Sequence, residues 1–78
     1  MTKKEFVEKF NLTKTNTKAL FNDGMAQKSR TIYVNQYGEM YVFYNNDLHI
    51  VRPWDSFPYV EGAKEVMCKL GAGYSWYH

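Results

Sequence analysis

The residue pattern predicts an α+β domain in the order α-α-β-β-β-α, and three observations carry that expectation. Apolar residues stand at helical spacing between Lys3 and Asn22, and the period switches to two between Thr31 and Arg52. Helical spacing then returns over residues 57–70. Each segment stops at a residue that punctuates secondary structure: Gly24, Pro53 and Gly71.

The first helix opens at Thr2, whose hydroxyl can cap it, with Glu5 three residues on as the acid of a capping box. Phe6, Val7 and Phe10 share one helical face. Asn11 tolerates a left-handed turn, and Leu12 points back inward. Thr13 can cap a second helix, which Asn22-Asp23-Gly24 stops. Met25 to Ser29 reads as a polar link. Ile32 and Val34 lie on one face of a first strand, and Asn35 to Gly38 forms a turn with Gly38 at positive φ. Glu39 to Tyr44 is apolar on both faces, the mark of a central strand. After the turn Asn45-Asn46-Asp47, a third strand runs from Leu48 to Arg52 and Pro53 ends it. The expectation over 31–52 is a three-stranded antiparallel meander. Ser56 can cap the last helix with Pro58 in its first turn. Tyr59, Val60, Ala63, Val66, Met67 and Leu70 give that helix its apolar stripe, and an aromatic tail, 72–78, follows.

With 78 residues the chain is expected to form a single domain that buries roughly 60% of its unfolded surface. Two Trp, seven Tyr and five Phe supply large apolar areas to a core or an interface. One cysteine, Cys68, precludes an internal disulfide and suits a reducing, cytoplasmic setting. No signal peptide is expected, because Glu5 and Glu8 follow Lys3 and Lys4 where an apolar run would be required. No apolar run nears the ~20 residues of a membrane span. The net charge of +2 is unevenly spread: residues 1–30 carry +4 and residues 31–78 carry −2. Such asymmetry suits a one-sided contact with phosphates.

The residues from Lys3 to Asn22 also match a helix-turn-helix pattern. Phe6, Phe10, Leu12, Thr17 and Leu20 occupy its apolar places and Asn11 its glycine place, with Thr17 and Val7 departing from the usual residue types. On these residues the chain resembles small winged-helix DNA-binding proteins, phage excisionases and the N-terminal unit of MerR-type regulators. The resemblance implies a small DNA-binding regulator or recombination accessory protein of a bacteriophage or mobile element, with double-stranded DNA as partner. It further implies that Lys14, Thr15, Asn16 and Lys18 meet base edges while Thr13, Lys28 and Arg30 hold phosphates. The wing tip, Asn35 to Glu39, would carry no Arg or Lys.

A second expectation rests on other residues. Tyr37, Tyr41, Trp54, Tyr74, Trp76 and Tyr77 belong to an aromatic set that exceeds what so small a core needs to hide. They suit a non-enzymatic protein–protein interaction module, a phage-type inhibitor occupying a host protein, or a homodimer. Catalytic residues are not expected, since Cys68 has no His or Asn at a recognised spacing. Neither a metal nor another cofactor is expected: Asp47, His49, Cys68 and His78 lack ligand spacing, and no glycine loop cradles phosphate.

Overall fold

Thr13, Thr15 and Thr17 alternate with polar residues and lead into Ala19 and Phe21, a period of two in which the three threonines and Phe21 favour extended backbone. In the computed structural model, which describes residues 2–60 and 62–73, this period wins over the helical one. The elements are a helix, α1 (Lys3–Lys9), and strands β1 (Thr13–Asp23), β2 (Ala26–Val34), β3 (Met40–Tyr44), β4 (Asp47–Pro53) and β5 (Glu65–Gly73). Consecutive strands pair antiparallel, and β5 pairs parallel with β1 to close a barrel. The parallel seam follows from the count. An up-and-down order of an odd number of strands leaves the first and last pointing the same way.

The α-α-β-β-β-α order is therefore corrected, and the resemblance to helix-turn-helix and winged-helix proteins falls with it. Thr2 and Glu5 do form the capping box of α1. Asn11, at φ 51°, then turns the chain into β1 rather than into a second helix. Gly24-Met25 is a two-residue hairpin turn, with Gly24 at φ 65° in the first central position, and most of the expected polar link becomes the start of β2. Asn45 and Asn46, both at positive φ, make the two-residue turn of the β3–β4 hairpin. The helix expected over 57–70 is absent. Pro58 and Gly62, the latter at φ 88°, interrupt it, and Val66, Cys68 and Leu70 alternate along β5 instead.

Two apolar layers result. Inside the barrel, Ala19, Ile32, Val42, Val51, Val66 and Cys68 are buried together, with Val34, Met40 and Leu70 packed against them. On the outer face of β2, β3 and β4, Tyr33, Tyr41 and Leu48 are buried beneath Phe6 of α1 and Leu12. Cross-strand pairs Tyr33–Tyr41, Tyr41–Ile50 and Phe43–Leu48 lay out that outer floor. A strand that is apolar on both faces is central here for a specific reason: one face lines the barrel and the other seats a helix.

Candidate interaction surfaces

The chain between β4 and β5 is fastened at both ends and bulges outward between them. Trp54 N–H donates to the Met67 carbonyl at 3.0 Å and Phe57 N–H to the Trp54 carbonyl at 2.9 Å, which makes a tight turn. Ala63 N–H donates to the Val60 carbonyl at 2.9 Å, and the buried Thr17 hydroxyl donates to the Ala63 carbonyl at 2.7 Å. Lys18 N–H donates to the Lys64 carbonyl at 2.8 Å just beyond. Between these ties Phe57, Tyr59 and Val60 remain 53%, 37% and 62% exposed. Phe57, Pro58 and Val60 form one wall of a groove of about 450 Å³ whose floor is Leu20, Val66 and Met67. The ring of Trp54 stands 6.3 Å from that of Phe57 and borders a second recess that contains Arg52, Asp55 and Lys69. Its indole N–H is buried and has no hydrogen-bond partner among the described residues.

A second surface lies where β2 and β3 part. β2 pairs with β3 only at Tyr33–Tyr41 and Val34–Met40, while its pairing with β1 extends to Ala26. Lys3, Lys18 and Arg30 surround the gap. Lys3 Nζ lies 5.2 Å from the centre of the Tyr33 ring and 5.4 Å from that of Phe43. Lys18 Nζ donates to the Thr31 hydroxyl at 2.9 Å. The Arg30 guanidinium lies 5.0 Å from the Tyr44 ring centre and donates to the Ser29 carbonyl at 2.7 Å. The Tyr44 hydroxyl donates to the Asp23 carboxylate, which holds the phenol pKa above its ordinary value.

The residues expected at DNA are thus dispersed along two strands. Thr13, Lys14 and Asn16 are exposed on β1 before or within the irregularity that separates Lys14 from Lys18 in the β1–β2 register. The Thr15 hydroxyl donates to the Ile32 carbonyl at 2.7 Å and so serves the barrel. Lys28 is half-buried opposite Phe21. Of that set, Lys18 and Arg30 converge at one recess. Among the expected aromatic contacts, Tyr37 is exposed, Trp54 is half-buried and Tyr41 is buried in the outer layer. Tyr74, Trp76 and Tyr77 lie outside the described residues.

Sequence reasoning assigned Phe57 and Val60 to a helix and gave Lys3 no site. Pro58 and Gly62, four residues apart among apolar neighbours, were the available signal for an exposed loop.

Nucleophilic chemistry has no support at Cys68. Its thiol is buried and donates to the Val66 carbonyl, and desolvation raises its pKa to about 11. His49 places Nδ1 3.2 Å from the Gly71 carbonyl and Nε2 3.1 Å from the Tyr44 carbonyl, which occupies the ring between strands. Among the described residues no three His, Cys, Asp or Glu side chains converge as metal ligands. Nor, among them, is any helix long and apolar enough to cross a membrane. No family model, curated protein or solved structure matches the chain.

Proposed function

We propose that the protein is a non-enzymatic protein-interaction module that docks through the loop after β4 and the groove beside it. One observation carries this reading: Phe57, Tyr59 and Val60 are exposed together on a segment held by backbone hydrogen bonds at both ends. Apolar side chains presented on a fixed frame lose little freedom on binding, and a few such residues suffice as anchors. The partner is a protein of the cell in which the chain acts, as expected of a phage-type inhibitor, and the reducing cytoplasm is the compartment that suits its buried free cysteine. DNA recognition by a helix does not return, because Thr13 to Asn22 belongs to a strand.

Affinity capture from nuclease-treated lysate tests the proposal, with the protein compared against Phe57→Asp/Val60→Asp and against Tyr37→Ser. The reading expects a captured protein that the double variant loses and Tyr37→Ser retains. Equal capture by all three forms would reject the surface. A concentration-dependent dimer that the double variant abolishes would reassign the loop to self-association, which light scattering reads directly.

A further inference from the structure

We propose that the open edge of β2 from Gln27 to Thr31 is a second docking site, which takes an extended acidic peptide segment of another protein as an added strand. The site is separate from the loop after β4, and three features converge on it.

The first is backbone geometry. The two-residue turn closes on the pair Asp23–Ala26, and pairing continues through Phe21–Lys28 and Ala19–Arg30. In such a hairpin the closing pair exchanges hydrogen bonds and every second pair after it does so too. Ala26, Lys28 and Arg30 therefore direct their N–H and C=O groups at β1, while Gln27, Ser29 and Thr31 direct theirs away from it. The same alternation holds further along, where Asn35 N–H donates to the Glu39 carbonyl at 3.1 Å on the β3 side. β3 is paired with β2 only at Tyr33 and Val34, so the outward groups of Gln27, Ser29 and Thr31 face the gap. A row of outward groups is the template on which a peptide strand adds.

The second is charge. The gap holds a recess of about 150 Å³ that includes Lys3, Lys18, Ser29, Arg30 and Thr31. A neighbouring recess of about 320 Å³ shares Lys3 and Arg30 and runs on to Asn45 and Asn46. Among the described residues no Asp or Glu lines either one, and the nearby Asp23 carboxylate is engaged by Tyr44. Carboxylates on an incoming strand would meet three cations. Arg30 holds a particular position, since its guanidinium occupies the Ser29 carbonyl. A peptide carboxylate that draws Arg30 to itself frees that carbonyl for the ladder.

The third excludes other occupants. A second copy added antiparallel about Ser29 would set Lys28 of each copy opposite Arg30 of the other, and like charges directly opposed disfavour pairing. Single-stranded nucleic acid needs ring faces on which bases stack. Here Lys3 covers Tyr33 and Phe43, and Arg30 covers Tyr44.

The test is a chemical-shift titration of the ¹⁵N-labelled full chain with three probes: an alternating Glu-Val decapeptide, its Lys-Val counterpart and a ten-nucleotide oligothymidine. Expected are shifts at Gln27, Ser29 and Thr31 with the Glu-Val peptide alone, and affinity that falls as salt rises. Lys18→Glu/Arg30→Glu should weaken binding at least about tenfold. Ser29→Pro removes an outward N–H but no charge, and should weaken it comparably. Both substitutions lie at exposed positions, and the spectrum of each variant reports whether the barrel is retained. Four results would overturn the proposal: silence at the β2 edge with millimolar peptide, equal response to the Lys-Val peptide, tighter binding of the oligonucleotide, or shifts confined to Phe57–Val60. Silence would mean that the cations only guard the edge against aggregation.

Discussion

The barrel interior and the layer beneath α1 are separated by a single sheet, yet they are made of different residues. Small and branched side chains make up the interior cluster, Ala19, Ile32, Val42, Val51, Val66 and Cys68, with one buried ring, Phe21, on the same face of β1 as Ala19 and edge-on to Tyr44 at 5.0 Å. Rings fill the outer layer, where Phe6 lies 5.8 Å from Phe43 and 6.3 Å from Phe10, and Tyr33 meets Phe43 edge-on at 5.1 Å. Geometry accounts for the contrast. A closed five-strand barrel leaves little internal width, so short side chains pack it without strain. A seven-residue helix over a strongly curved sheet leaves a wide gap, which only large side chains bridge. Of the aromatic residues that composition assigns to an interface, Tyr41 is instead spent on seating α1. The surface left for partners is aliphatic and aromatic at the loop after β4, and basic at the β2 edge.

The largest expected effect separates the layers. Ile32→Ala opens a cavity in the interior and should cost about 2–5 kcal/mol, read as a lowered urea midpoint of the whole transition. Phe6→Ala should cost about 3 kcal/mol at most, because α1 can undock while the barrel persists. Near-equal losses, with every probe melting together in both variants, would erase the distinction.

Thr17→Val comes next. It keeps the side-chain volume but leaves the Ala63 carbonyl without its donor, at a cost of about 1–3 kcal/mol. The exchange of amides in residues 62–65 should accelerate more than that of α1, since the tie joins the loop to β1. Thr2→Ala removes the cap of α1 and should cost about 1 kcal/mol, seen as loss of helical signal with the strands intact.

The smallest effect is a pH dependence of α1. Hydrogen bonds from the Thr2 backbone and hydroxyl hold the Glu5 carboxyl below its ordinary value of 4.5. A lowered folded pKa means that Glu5 supports the helix above the unfolded value and loses that support as pH falls through the folded one. The helical signal should decline from about pH 4.5 downward while Val42 and Val51 resonances stay fixed, and Glu5→Gln should flatten the decline.

Legibility followed the local chemistry. Thr2 and Glu5 define their cap within one turn, and Gly38 takes the positive φ its turn demands. The two-sided apolar character of Met40 to Tyr44 pointed to a strand with partners on both faces. The helix expected in place of β1 rests on Phe6, Phe10, Leu12 and Leu20, which fit a helical motif. The strand's signal is the alternation of Thr15, Thr17, Ala19 and Phe21, which the helical reading leaves out. β5 was misread because Val66 and Leu70 fit both periods. Cys68, which the helical stripe leaves out, decides for the strand, since it packs inward between them. Barrel closure was beyond local reading, because the pairing of Lys18–Leu20 with Glu65–Met67 joins residues far apart in sequence. The interaction surfaces depended on that closure, which sets Leu20 beside Met67 and leaves the β2 edge open.

Amide hydrogen exchange resolved by NMR, followed across low urea concentrations, tests the central claim of a self-sufficient closed barrel that carries a separable helix. The account predicts that Ile32, Val42, Val51 and Val66 exchange only through global unfolding, and that Lys18, bonded to the Lys64 carbonyl, joins them. The Phe10 amide of α1, bonded to the Phe6 carbonyl, should exchange through a smaller, earlier opening. Equal protection of α1 and the strands would contradict the separation, and fast exchange at Lys18 would contradict the closure.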